Sequence, residues 1–308
     1  MLRVVSLATV LLLSVTSGWG QGQQIQWERD PERAVARAQE TMLPLVFYVL
    51  PSSDNRDSRL ESDQRRALAD PRVVRMCERF VPARLSRSAH RDIIESLGLP
   101  GSFSMAMAFV TPDGKVIDQL APSGVARAES LLDKMKLVFD AYRRDLFERH
   151  IKPVLTQADT PADQLREALG WIRLFHITVA DRTVGEVVQR KGLSREILRQ
   201  GYEVLANLST RTSIDQLLTL AAEGNTAAQD ALAACTPVGA ELMLPHLLAD
   251  GKVRPYVYDA LVKSCNIMSR KSPLWWERAQ PQLVTNEVER VSTLVKEASA
   301  RWMAEYGE

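Results

Sequence analysis

Four acidic side chains lie close together around the stretch PSSDNRDSRLE, and they are Asp54, Asp57, Glu61 and Asp63. Clustered carboxylates can bind a cation or act as acid and base in hydrolysis. The spacing lacks the glycine and the terminal glutamate of a calcium loop. The neighbouring arginines would keep Asp54 and Asp57 ionised, whereas an acid catalyst needs one carboxyl group to stay protonated.

The same acids are suited to the start of a helix. They follow an apolar run and lead into a segment of helical composition. The free N–H groups and the dipole of a helix N-terminus favour negative charge. We expect Asp54 to be the N-cap and Asp57, three residues later, to be the reciprocal acid of a capping box. A structural role is favoured, and cation binding or carboxylate-based enzyme chemistry stays open as the alternative.

Arginines are frequent in the segment that follows. Residues 56–91 contain ten arginines and five acids. The candidates for a basic surface are Arg56, Arg59, Arg65 and Arg66. Such a surface would suit an anionic partner such as a polysaccharide, a nucleic acid or a lipid head group. We favour a solvated surface with local pairs such as Glu61 with Arg65, because no aromatic residues are interleaved as nucleic-acid binding would require.

The cysteines allow little thiol or metal chemistry. There are three, Cys77, Cys235 and Cys265, so that at most one internal disulfide can form. Cys235 and Cys265 are the candidates for a bridge, which requires their Cα atoms to lie within about 7 Å. No cysteine or histidine pair has the spacing of zinc ligands, so we expect no metal and no cofactor.

The first half of the chain alternates between helical and strand patterns. Strands are predicted at 43–50, 81–85, 105–111 and 115–120, and Pro112-Asp113-Gly114 forms a turn between the last two. Helices are predicted at 30–41, 57–69, 73–80, 91–97 and 126–149. This order predicts an α/β domain with a mixed sheet.

From Thr160 onward only helical periodicity is found. Asp230-Ala231-Leu232 before Cys235 is echoed by Asp259-Ala260-Leu261 before Cys265, and the two copies are 29 residues apart. Such an echo is typical of stacked helical hairpins. The pair Trp275-Trp276, together with Trp302, is either a recognition anchor or, as we favour, the cap of a core.

The segment from about Gln26 to Tyr142 resembles the exported thioredoxin-like family. The likeness is carried by LPLVFYVL as the central strand, by the turn PSSDNRDSRLE, by ALADPRVV and LGLP, and by the strand-turn-strand AMAFVTPDGKVI. The resemblance implies a thioredoxin-like fold. It also places the two family cysteines on Asp54 and Asp57, and the cis-proline beside the redox site on Met105.

These departures imply that the chain is not a standard thiol–disulfide oxidoreductase. Exchange needs a thiolate that attacks sulfur, and a carboxylate cannot form a mixed disulfide. Cys77 is single and is expected to be a small buried residue. The segments EGNTAAQDALAAC and DGKVRPYVYDALVKSC look like short HEAT-type repeats, which implies a second, all-helical domain.

The first residues predict export. Arg3 precedes an apolar run, and the small residues Gly18 and Gly20 precede Gln21. The apolar run is shorter than the roughly 20 residues of a membrane span. We therefore expect a signal peptide at 1–20, a thioredoxin-like domain at 21–149, a HEAT-like domain at 150–308, no transmembrane segment in the mature chain, and a periplasmic or extracellular location.

Together these features favour a non-catalytic module that binds a protein or peptide, or acts as a scaffold. The net charge of +1 predicts no polyanionic partner. Two alternatives remain. One is an enzyme, or a cation-binding protein, that uses the carboxylates near Asp54 and Asp57. The other is residual thiol–disulfide work through Cys77, or through Cys235 with Cys265.

Overall fold

The computed structural model describes residues 24–50, 58–96, 106–268 and 270–306. The predicted signal peptide at 1–20 lies outside them. The chain divides into two compact units, Met1–Val138 and Phe139–Glu308, and each is described by itself. This division lies upstream of the predicted boundary at 149/150. In the described residues no helix combines the length and the hydrophobicity needed to cross a membrane.

The first unit is mixed α/β. Its strands are β1 (Leu45–Leu50), β2 (Val81–Ser86), β3 (Met107–Val110) and β4 (Val116–Leu120). Its helices are α1 (Pro31–Thr41), α2 (Ser58–Leu68), α3 (Pro71–Cys77), α4 (Arg91–Ser96) and α5 (Pro122–Val125), followed by the first part of α6 (Ala128–Leu146). The predicted order of helices and strands in this part of the chain is therefore found in the structure, with α5 as an additional short helix.

The strands form one mixed sheet with the order β2-β1-β3-β4. β1 pairs in parallel with β2, and it pairs antiparallel with β3, which forms a hairpin with β4. A parallel pair needs a crossover between its strands, and α2 and α3 lie in that connection. The hairpin turn after β3 contains Gly114 at a φ of 90°, a conformation that favours glycine.

Both faces of β1 are buried, as expected for a central strand. Leu45, Phe47 and Val49 share one core cluster with Ala34 and Ala38 of α1. The alternate residues face the opposite side, where the hydroxyl of Tyr48 donates to Gln64 of α2. The period-2 alternation of the strand therefore divides its side chains between two layers of helices.

The sheet edge at β4 is shielded from further strand pairing. A bulge interrupts its register between Phe109 and Val110 of β3. The amide N–H of Gln119 donates to its neighbour Asp118 at 2.7 Å, and Lys134 of α6 pairs with the same carboxylate at 2.8 Å. Bulges and charged side chains are common protections of edge strands.

The second unit is mainly helical. After α6 come a π-helical turn (Phe147–Ile151), α7 (Lys152–Thr156), α8 (Ala162–Phe175), α9 (Asp181–Val188), α10 (Arg195–Leu208), α11 (Arg211–Ala222), α12 (Thr226–Leu232), α13 (Pro237–Met243), α14 (Pro255–Ser264), α15 (Pro273–Arg278) and α16 (Pro281–Tyr306). Contrary to the prediction of helices alone, a short hairpin pairs Leu248–Ala249 with Lys252–Val253. Asp250 and Gly251 allow its tight turn, because both have positive φ.

The helices of this unit pack in two rows. In the first row, α8 contacts α10, α10 contacts α12, and α12 contacts α14. In the second row, α9 contacts α11, α11 contacts α13, and α13 contacts α16. Helices that follow one another in sequence, such as α10 with α11, connect the rows. Most contacts are therefore made between near neighbours along the stack.

Polar residues join successive turns of the stack. Thr210 caps α11 in a reciprocal arrangement with Ser213, and its hydroxyl donates to Asp181 at the start of α9. Ser209, at a φ of 49°, accepts from the amide of Thr236, which caps α13. The starts of α9, α11 and α13 are therefore joined by hydrogen bonds through the turn at Ser209 and Thr210.

Candidate functional site

Among the places in the described residues where polar side chains meet an accessible surface, two are candidates for a functional site. One lies on the first unit around Tyr48 of β1, which is paired with Arg84 of β2. The other is a groove along α11 in the second unit. Of the described residues predicted from the sequence, Arg59, Arg65 and Arg66 lie on α2, which also carries Gln64.

Tyr48 is the centre of the first place. Its buried hydroxyl donates to Gln64 Oε1 at 3.0 Å, and Gln64 Nε2 donates to the carbonyl of Pro122 at 2.9 Å. Burial raises the pKa of Tyr48, while the positive charge of Arg84 opposes this shift. The phenol is therefore a neutral donor, and it holds β1, α2 and α5 together.

The outer side of Tyr48 carries an aromatic and a cationic group. The rings of Trp27 and Tyr48 lie 5.6 Å apart, and the guanidinium of Arg84 lies 5.4 Å from the Trp27 ring centroid. This cation–π stack gives the end of β1 a polar, half-exposed surface. It offers contacts for a ligand, but no nucleophile or general base lies in this group.

The predicted acidic site falls on residues that the structure does not describe. Asp54, Asp57, Arg56 and Met105 all lie outside the described ranges. The described part of the second helix begins at Ser58. The capping role of Asp54 and Asp57, and the position of Met105 in place of a cis-proline, therefore stay predictions.

The described arginines of the candidate basic surface interact locally. Arg65 pairs with Glu61 at 3.3 Å and Arg66 pairs with Asp63 at 3.8 Å, one helical turn away in each case. Arg59 also makes an interaction. Charged pairs at this spacing are ordinary on a solvated helix face. Arg65 and Arg66 are thus engaged within α2.

The three cysteines are free thiols in the structure. Burial raises the pKa of Cys77 and of Cys235 to about 12, and that of Cys265 to about 11. Cys235 Sγ lies 3.4 Å from the hydroxyl of Ser264, and no bond joins it to Cys265. At neutral pH these thiols are protonated, whereas exchange requires a thiolate.

The groove of the second unit, here called the α11 groove, has a volume of about 690 Å³. It is lined by Arg211, Asp215, Leu218, Thr219, Glu223, His246 and Arg254, among others. His246 Nε2 lies 3.8 Å from Asp215 Oδ1. Neither Arg211 nor Arg254 has an ion-pair partner among the described residues. The groove therefore offers two guanidinium groups, two carboxylates and an apolar floor.

Sequence reasoning missed Tyr48, Gln64 and the α11 groove. Tyr48 looked like one more apolar residue of a buried strand, and its partner lies sixteen residues away on another element. Arg211, His246 and Arg254 come from three separate segments that only the packing of the helices brings together. No fixed spacing could have indicated either group.

Within the described ranges, no three His, Cys, Asp or Glu side chains are grouped closely enough to hold a metal ion. Comparisons of the chain with family models, with curated proteins and with solved structures returned no match.

Proposed function

We propose that the protein is an exported, thioredoxin-like protein without thiol catalysis, and that it binds a protein or peptide through its helical unit. The observation that carries this proposal is the two-row packing of α8 to α16, with the α11 groove on the second row. Stacked helical pairs of this kind present extended surfaces for partner binding.

Three features support the thioredoxin-like part of the proposal. A parallel β1–β2 pair, with α2 and α3 between its strands, is followed by an antiparallel hairpin, and the hairpin is followed by the short α5 and the long α6. That order agrees with the motifs on which the resemblance was based.

The high thiol pKa values of Cys77, Cys235 and Cys265 argue against residual exchange chemistry.

The chemistry of the α11 groove favours a peptide over a small apolar ligand. Arg211 and Arg254 can bind carboxylates, and Asp215 and Glu223 can bind amines or guanidinium groups. Leu218 and Ala222 supply apolar contact between them. An extended peptide carries carboxylates, basic groups and apolar side chains at intervals of a few ångströms, so it can use all three kinds of contact.

Site-specific photocrosslinking of the full chain tests this proposal. A photoreactive amino acid is placed at Thr219 in the α11 groove and, as the matched control, at Arg199, which is exposed on the first row. We expect an adduct from envelope extract at Thr219 and not at Arg199. The crosslinked peptide is then synthesised, and Arg254→Ala should weaken its binding roughly tenfold, as expected for the loss of a charge-assisted hydrogen bond. Equal labelling at both positions would remove the groove as the binding surface.

A further inference from the structure

Beyond the proposed peptide binding, a second surface lies around the tryptophan pair at the start of the last helix. Trp276 packs edge-on against the buried ring of Tyr258, with centroids 4.8 Å apart. Trp275 packs against Trp276 at 4.7 Å, and Lys271 Nζ lies 5.3 Å from the centroid of Trp275. The rings of Tyr258, Trp276 and Trp275 therefore follow one another from the core outward. Trp276 covers the core, and Trp275 lies on its outer side.

Large apolar side chains are exposed in the stretches of chain on either side of this pair. Met268 is 78% exposed, Leu274 is 57% exposed, and Leu283 is 49% exposed. Isolated exposed apolar residues are ordinary, but several of them beside a partly exposed tryptophan mark an interaction surface. We call Met268, Lys271, Leu274, Trp275 and Leu283 the tryptophan patch.

The charge next to the patch is positive. Residues 263–278 contain four basic side chains, Lys263, Arg270, Lys271 and Arg278, and one acid, Glu277. Arg270 is paired with Asp259, and Lys271 is close enough to Glu287 to help lower the pKa of that carboxyl group. The whole chain, in contrast, has a net charge of +1. The positive charge is therefore concentrated beside the exposed apolar residues.

We propose that the tryptophan patch docks on an anionic lipid surface. Tryptophan is enriched at membrane interfaces, where its ring lies at the depth of the head groups. Lysine and arginine beside tryptophan and leucine are typical of helices that lie on a membrane. The apolar side chains Met268, Leu274 and Leu283 are exposed, which suits insertion between lipids. Lys263, Lys271 and Arg278 supply attraction to anionic head groups, an attraction that salt screens.

Vesicle binding by the full chain tests the proposal. The chain is sedimented with vesicles of phosphatidylcholine alone and with vesicles that also contain phosphatidylglycerol, and quenching of tryptophan fluorescence by brominated lipid is measured in parallel. We expect binding and quenching with the anionic vesicles only, and weaker binding at high salt. Absence of binding to anionic vesicles, or equal binding to both kinds, would overturn the proposal.

Matched variants locate the surface. Leu274→Ser and Lys271→Glu should each reduce the partition coefficient roughly tenfold. Leu174→Ser and Lys191→Glu change an equally exposed leucine and an exposed lysine elsewhere in the same unit, and they should have no effect. Thermal unfolding checks that each variant is folded, and Leu274 is exposed enough for its substitution to leave the fold intact. Equal losses from the patch and control variants would show that a different surface binds the vesicles.

Discussion

The hydroxyl of Tyr258 donates to Glu287 Oε1 at 2.9 Å, and this bond joins α14 to α16 within the core of the second unit. Arg290 donates to both oxygens of the same carboxylate, at 2.8 and 2.7 Å. The backbone N–H of Lys271 donates to the Tyr258 oxygen at 2.8 Å. Burial raises the pKa of Glu287, but the hydrogen bonds from Arg290 and Tyr258 outweigh it, so that the net pKa is lowered.

This carboxylate should make the stability of the protein depend on acid. Because its folded-state pKa lies below the unfolded value of about 4.3, its contribution is present above that pH and is lost as the pH falls through the folded-state pKa. We expect the free energy of unfolding to fall more steeply below about pH 4.3 in the wild type than in Glu287→Gln. Chemical denaturation at a series of pH values measures this, with Glu289→Gln on the exposed face of α16 as control. Parallel curves for the wild type and Glu287→Gln would contradict the role of the buried pair.

Two helical glycines should respond oppositely to alanine. A Cβ at Gly201 of α10 would lie 2.4 Å from Cγ1 of Val188, whereas a Cβ at Gly170 of α8 would meet no atom within 4 Å. Valine is stiff at χ1 and cannot easily withdraw. Gly201→Ala should therefore destabilise by about 1–3 kcal/mol through overpacking. Gly170→Ala should stabilise by about 0.5–1 kcal/mol. Denaturant titrations compare both with the wild type, and adding Val188→Ala should recover part of the loss at Gly201.

The pair Tyr48 and Gln64 should be energetically coupled. Tyr48→Phe leaves the buried Gln64 oxygen without its donor, which should cost about 1–3 kcal/mol. Gln64→Leu removes the acceptor and the contact with the Pro122 carbonyl. A double-mutant cycle measures the coupling, and the double variant should be more stable than the sum of the single losses predicts. Additive losses would mean that the hydrogen bond contributes little to stability.

The thiols should differ in reactivity with an alkylating reagent at pH 8. Cys77 and Cys235 are buried and have a pKa of about 12, whereas Cys265 is half-buried with a pKa of about 11. Cys265 should be modified first and the other two only on unfolding. Mass spectrometry of the modified peptides checks the order, with Cys265→Ser as control. Fewer than three reactive thiols in the unfolded, unreduced chain would reveal a disulfide and revive the predicted Cys235–Cys265 bridge.

Asp54→Ala separates the capping role from the enzyme alternative. Loss of an N-cap should cost about 1 kcal/mol of stability and leave partner binding unchanged. Asp63→Ala, which changes a nearby acid on α2, is the control. Unfolding free energy and retention of the crosslinked peptide are measured together. An unchanged stability together with loss of a measurable activity would favour carboxylate chemistry at Asp54.

Local sequence patterns predicted the positions of the helices and strands better than they predicted which of these elements pack together. The alternation around β1 and the helical periodicity after Thr160 placed most strands and helices within a few residues of where they lie. Periodicity is a property of one segment, so it reports which face is buried but not what covers it. The contacts of Tyr258 with Glu287 and of Thr210 with Asp181 each join residues 29 positions apart, and they depend on how helices stack.

The misses have physical causes. The helical periodicity predicted after Thr160 is interrupted between α15 and α16, where Ala279 is extended. Pro281 disfavours helical geometry in Gln280, the residue before it, which favours a break at this point. The hairpin around Asp250 and Gly251 has only two residues in each strand, too few for an alternating pattern. Turn residues alone indicated a loop there.

The serial contacts of the helical rows also determine how this unit should come apart. Since α8 contacts α10 and α10 contacts α12, an amide deep in α10 has packed helices on both sides, whereas the short α7 and the C-terminal α16 lie at the two ends of the stack. Stability in such an array is a sum of local interfaces, so opening proceeds from the ends in steps. Hydrogen exchange should therefore decrease from the outer layers toward α10 and α11, and the C-terminal layer should owe much of its protection to Glu287.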